Sequence, residues 1–169
     1  MKKIVFTVFI LIQFWSGQIH GQECIDSIFN VEVRESSYGG TYVAYSDKNW
    51  DKFKGSPKVK STAPSDMMIH IKFLSTQKKD SIEQTLFKAE ELNTLQRGFA
   101  ICKLHVPSGR IVTVSFSIPI SNSVEDIKLI RYKEEIQKNL YFNVELSAKL
   151  EKEGYLVQSF PIFVSLRKR

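Results

Sequence analysis

A chain of 169 residues with 43% hydrophobic and 12% aromatic content is about one domain long and can bury a core, which excludes a disordered chain. Its formal net charge is +6, and its two cysteines and three histidines show no metal-ligand spacing, so neither a metal nor a cofactor is expected.

Met1-Lys2-Lys3 is a positive n-region, Ile4 to Trp15 an apolar run, and Ser16 to Gly21 a small, polar stretch. Residues 1–21 therefore read as a secretory signal cleaved after Gly21, and the run is shorter than the roughly 20 residues that span a bilayer, which disfavours an uncleaved anchor. The expected location is periplasmic or secreted. Loss of Lys2 and Lys3 lowers the charge from +6 to +4. Residues 22–169 then form a single domain. Within it Cys24 and Cys102 can bond in an oxidising compartment, with two free thiols as the alternative.

Ser27 to Val33 and Thr41 to Ser46 alternate as strands around a turn at Glu35 to Gly40. Asp47 to Ser65 is polar, lysine-rich and holds Pro57 and Pro64, as a long loop would. Met67 to Phe73 alternates as a strand. Ser81-Ile82-Glu83-Gln84 fits a capping box and predicts a helix starting there and ending at Gly98.

In His105 to Pro119, Pro107-Ser108-Gly109 suits a three-residue hairpin loop with Gly109 left-handed. This register sets Val106 opposite Arg110, Leu104 opposite Val112, Cys102 opposite Val114 and Ala100 opposite Phe116. The even-numbered face is thus apolar, and the odd face, with Lys103, His105, Thr113, Ser115 and Ser117, reads as solvated. Val114→Asp is then expected to unfold the domain and Thr113→Asp to be tolerated.

Ser121 or Ser123 can cap a helix with Glu125 and Asp126 in its first turn. Phe142 to Glu153, with Leu146 and Leu150 at helical spacing, predicts a second short helix ending at Gly154. Gln158 to Leu166 alternates as a closing strand. Pro161 lacks an amide hydrogen and Arg167-Lys168-Arg169 follows, so this strand is expected at a sheet edge. An extended partner segment would then add along Ile162, Phe163, Val164, Ser165 and Leu166. The fold class expected is α+β, a mostly antiparallel sheet with helices packed on one face.

The stretch Gly109-Arg110-Ile111-Val112-Thr113-Val114-Ser115-Phe116, the helix end at Ile136 to Phe142 and the last strand Phe160 to Leu166 resemble the C-terminal domain of TonB proteins. The resemblance covers about residues 81–169. It implies a fold used for protein contact between envelope components rather than for chemistry. That family's Tyr-Pro pair before the hairpin, its Ser-Ser-Gly after the second strand and its Pro-rich spacer are absent here.

No Gly-x-Ser-x-Gly, His-Glu-x-x-His or phosphate-cradling loop occurs. Cys102 and His105 lie three apart on one strand and point to opposite faces, while His70 on another strand can approach either. Carboxylate pairs such as Glu90-Glu91 and Glu134-Glu135 diverge on helices. No catalytic, cofactor or metal residue emerges, and the chain reads as non-enzymatic. The basic runs Lys48 to Lys60 and Arg167 to Arg169 suit solvated segments or an anionic envelope surface; nucleic acid is not an expected partner. Two functions fit these residues. One is an exported envelope protein that contacts another protein. The other is a small secreted hydrolase, or a cell-wall binding protein, whose site forms only in three dimensions.

Overall fold

The hairpin carries the fold. In the computed structural model, which describes residues 25–36, 40–60, 69–120 and 124–162, β5 (Phe99–Val106) pairs antiparallel with β6 (Ile111–Pro119). Ala100 faces Phe116 and Cys102 faces Val114, as the even-face pattern requires. Gly109 has φ +66°, and its amide donates to His105 O at 2.8 Å to close the loop; the Val106–Pro107 peptide is cis. Past the Lys103–Thr113 pair, however, the ladder shifts and Leu104 meets Ile111. Val112 is the extra residue of a bulge, so neither Val106–Arg110 nor Leu104–Val112 forms.

The bulge also breaks the alternation of burial. Ile111, Thr113 and Val114 are all buried, and Thr113 does not lie on a solvated face as expected. Its hydroxyl donates to Asp47 Oδ2, which Lys133 Nζ approaches at 3.0 Å. Tolerance of Thr113→Asp is therefore withdrawn.

Five strands form the main sheet in the order β1-β2-β6-β5-β9, all antiparallel, with β1 at Phe29–Glu35, β2 at Thr41–Asp47 and β9 at Gly154–Pro161. Two short ribbons accompany it. One pairs β3 (Lys58–Val59) with β8 (Leu150–Lys152), the other β4 (Ile69–Phe73) with β7 (Phe142–Leu146). The predicted helix over Phe142 to Glu153 is thus a pair of strands. Phe142, Val144 and Leu146 also fit a period of two, and pairing with Ile69–Phe73 decides between the patterns. The closing strand likewise begins at Gly154 and ends at Pro161.

Four α-helices are described: α1 (Ile25–Ile28), α2 (Thr76–Leu86), α3 (Ala89–Leu95) and α4 (Asp126–Asn139). Helix α2 starts at Thr76, five residues before the predicted capping box, and the chain breaks at Phe87-Lys88 before α3. Ser121 and Ser123 lie outside the described residues; Glu125 occupies the N-cap position of α4. The helices pack over the even face of the hairpin. Ile82, Leu95, Leu129 and Ile136 meet Leu104, Val114 and Phe116 in one core. There the Tyr132 ring stacks on Phe116 at 5.6 Å and takes the edge of Phe87 at 5.4 Å. Fully burying such side chains is worth about 1.5–3 kcal/mol each before chain entropy is counted.

The opposite face is partly crossed by residues 48–57. Lys103 Nζ donates to Trp50 O at 2.7 Å and Phe53 O at 2.9 Å, lies 4.6 Å from the Trp50 ring centre, and so pins the crossing chain. The expected long loop therefore holds a 3-10 turn at Trp50–Lys52 and the strand β3. Beyond the hairpin tip, Phe142 N donates to Gly109 O at 3.0 Å, and a Cβ on Gly109 would fall 1.8 Å from Phe142 O. No helix among the described residues is long and apolar enough to cross a membrane.

Helices α3 and α4 are joined by Lys128, whose Nζ meets the two oxygens of Glu91 at 2.6 and 2.8 Å. The hydrogen bond from Lys128 holds the Glu91 carboxyl below its ordinary value of 4.5, against a smaller effect of burial. A carboxyl with a lowered folded pKa stabilises the fold above its unfolded value and loses that contribution as pH falls through the folded value. Lys128→Met should therefore be less stable than wild type at pH 7 and converge on it well below pH 4.5, which urea unfolding at pH 7 and pH 3 will measure.

Candidate functional site

The reactive residues visible in the sequence do not converge. Among the described residues Cys102 has no disulfide partner; it is fully buried on the core face of β5, its Sγ donates to Gln158 O at 3.3 Å and burial pushes its pKa up to about 12. Such a thiol is not a nucleophile at neutral pH. Cys24 lies outside the described residues, as does the whole of 1–21. His70 is exposed on β4 and pairs with Glu145 of β7, in a different sheet from Cys102 and His105. The structure thus brings His70, Cys102 and a carboxylate into no common contact among the described residues.

His105 has partners that sequence reading missed. Its Nδ1 lies 2.9 Å from Ser108 Oγ and its Nε2 lies 3.2 Å from Glu153 Oε2, with the Tyr155 ring at 5.6 Å. The connectivity serine–histidine–carboxylate is that of a nucleophilic triad. Its setting is different. Ser108 Oγ also contacts His105 O at 3.4 Å and accepts from Arg110 N at 3.4 Å, so the nearby amide points at the hydroxyl and not at a place where an oxyanion would form. Glu153 is 65% exposed and the histidine 29%. The cluster ties the hairpin tip to the turn before β9. The His105–Ser108 spacing across Pro107 was readable as a local pair; Glu153, 48 residues away, had no local signal.

A buried ionisable network lies inside the helical layer. Lys79 Nζ meets Glu83 Oε2 at 2.9 Å, one turn along α2, and Tyr132 of α4 donates its hydroxyl to Glu83 Oε1. Burial pushes the Glu83 carboxyl up, opposed by Tyr132 and Lys79, and burial pushes the Tyr132 phenol well above its ordinary range. All three are buried, Glu83 at 1% exposure, with every polar atom satisfied. A sealed network of this kind serves packing. It went unread because a helix begun at Ser81 leaves Lys79 outside it.

Among the described residues, the strand that carries Pro161, β9, stands last in the main sheet's strand order and has β5 as its one ladder partner. Tyr155 N donates to Gly55 O at 2.9 Å, away from β5, so by alternation the backbone groups of Val157 and Ser159 point outward as well. His105 N donates to Arg110 O, on the β6 side, which leaves the even residues of β5 to face Leu156, Gln158 and Phe160. Pro161 falls at the next outward position, where a missing N–H costs no ladder bond. Val157 is 56% exposed and Ser159 is exposed. Ile162, in contrast, is not an edge residue. It is fully buried past the strand end, its amide bonded to Gly98 O, because the chain turns into the core there. Phe163, Val164, Ser165 and Leu166 lie outside the described residues.

No family model and no curated protein matches the chain. Among solved structures, the chain is similar to a DUF5043 family protein from Bacteroides uniformis ATCC 8492, with 12% identity over 79% of this chain and 90% of that one and a TM-score of 0.48. A likeness at that level carries no argument about function.

Proposed function

We propose that the protein is exported to the periplasm or beyond and acts there as a contact module, without chemistry of its own, receiving an extended segment of another envelope protein along β9. The observation that carries this reading is the outward row of backbone groups at Val157 and Ser159, ended by Pro161. The basic n-region and short apolar run support export, and the resemblance to TonB C-terminal domains is to a fold used for protein contact. An added strand would draw affinity from main-chain bonds and specificity from alternate side chains beside Val157.

Proline scanning separates this edge from the fold. Val157→Pro removes an outward N–H and should melt close to wild type while losing a partner segment captured from envelope extract. Gln158→Pro removes an inward N–H that β5 uses and should destabilise the domain by about 3 kcal/mol. Amide exchange at Val157 and Ser159 should slow in the wild-type complex. A Val157→Pro variant that still captures the same segment, or protection confined to other strands, defeats the proposal.

A further inference from the structure

We propose that the outer face of the main sheet carries a binding site for an acidic oligosaccharide, with a sugar carboxylate on Arg97 and sugar rings against Phe99 and Tyr42. The site is independent of the β9 edge. It is a cleft of about 430 Å³, open to solvent, at the end of the sheet that residues 48–57 do not cross. Phe99, Tyr42 and Arg97 line it, with Thr41, Ser117 and Pro119 between them.

Sheet register fixes the layout. Phe99 lies opposite Ser117 on β6, and two residues on, Pro119 lies opposite Tyr42 on β2. The two aromatic residues are thus two strands and one two-residue step apart, about 12 Å between Cα atoms, a span of about two to three linked pyranose rings. The small Ser117 between them leaves a floor carrying a hydroxyl rather than a bulky side chain. Phe99 is 47% exposed at the first position of a sheet-forming strand, where nothing in the core accounts for an aromatic ring.

Charge selects among ligands. Among the described residues, the lining holds one cation and no carboxylate. Arg97 is exposed and makes no hydrogen bond or ion pair among the described residues, so its planar fork is available to grip a carboxylate through two parallel bonds. A drug-sized apolar ligand needs a concave pocket that buries most of its surface. This cleft is shallow, and it suits a ligand that keeps one side in water. The C–H-rich face of a pyranose packs on the negative face of an aromatic ring, and its hydroxyls match Ser117. An acidic sugar meets all three requirements.

The test uses the whole mature chain with trigalacturonate and triglucuronate as probes, against the same trisaccharides with their carboxylates reduced to alcohols. Calorimetry should show binding of an acidic trisaccharide and at least ten-fold weaker binding of its reduced form. Arg97→Gln should weaken the acidic sugar at least ten-fold and leave the reduced form unchanged, with Arg97→Lys in between. Phe99→Ala should weaken both forms alike. Unaltered melting of Arg97→Gln and Phe99→Ala excludes misfolding as the cause. Failure of both acidic sugars to bind, equal binding of the reduced sugars, indifference to Arg97→Gln, or displacement by an acidic pentapeptide at equal concentration each overturns the proposal.

Discussion

Val114→Asp leaves no folded population at 25 °C, and Thr113→Asp, its neighbour on the opposite side of the alternation, loses most of its stability as well. Val114 is fully buried, its amide 3.4 Å from Asp47 Oδ2, so a carboxylate there is both desolvated and beside an existing anion. An unpaired buried charge costs several kcal/mol, against a total stability of about 5–15 kcal/mol for a domain. Thr113 is the donor that Asp47 receives, and Lys133 is the cation within 3.0 Å. Replacing the hydroxyl by a carboxylate removes the donor and asks one lysine to serve two anions, a loss of about 3–5 kcal/mol at neutral pH. When two carboxylates share a site, one keeps its proton to higher pH than a lone aspartate. The shared proton restores a donor, so the stability it provides is present at low pH and lost as pH rises. Thr113→Asp should accordingly lie closer to wild type at pH 5 than at pH 8, whereas Val114→Asp stays unfolded at both. Urea midpoints at the two pH values decide. A Thr113→Asp variant that melts like wild type would remove Thr113 from the Asp47 cluster.

Glu83→Ala should cost about 3–5 kcal/mol, comparable to the loss of a large core side chain. It leaves the Lys79 ammonium, at 3% exposure, to the half-exposed Asp80 carboxylate at 3.3 Å and Ile162 O at 3.5 Å, and takes away the acceptor of the Tyr132 hydroxyl. The double variant Lys79→Met, Glu83→Leu tests the reason. It removes both charges, strands only the phenol, and should recover more than half of the single variant's loss; adding Tyr132→Phe should recover the remainder. Burial raises the Glu83 carboxyl, so its proton binds the folded chain more tightly than the unfolded one. Through this group alone, stability falls as pH rises above the ordinary value of 4.5 towards the raised one, and that slope should vanish in the triple variant. A slope that persists would place its origin elsewhere.

The parts of this fold legible in the sequence are those set by period and parity. The apolar even face of the hairpin, the left-handed Gly109 and the outward parity of Pro161 each follow from a local rule that the tertiary structure obeys. The bulge at Val112 had no such signal, since one extra residue in a valine-rich strand changes neither composition nor propensity. Phe142 to Glu153 satisfied two periodicities at once, and the partner that chose between them lies about 70 residues earlier, at Ile69–Phe73. The capping box at Ser81 was chemically sound and structurally unused, because α2 begins a full turn earlier and buries Lys79 against Glu83. For the candidate sites the division is similar. The outward parity of Pro161 could be read from one proline, whereas the Arg97–Phe99–Tyr42 cleft needs register across three strands, which pairing supplies.

At the tip of the hairpin the main chain of Gly109 and that of Phe142 touch directly, with no room for a side chain between them. What looks like a display loop is therefore a seam between two sheets. Of its three residues, Pro107 and Ser108 are exposed, while the glycine sets the main chain of the tip directly against that of Phe142 at the start of β7. The Phe142–Gly109 hydrogen bond and the Arg110–Tyr141 bridge beside it tie the ribbon to the hairpin tip through main chain alone.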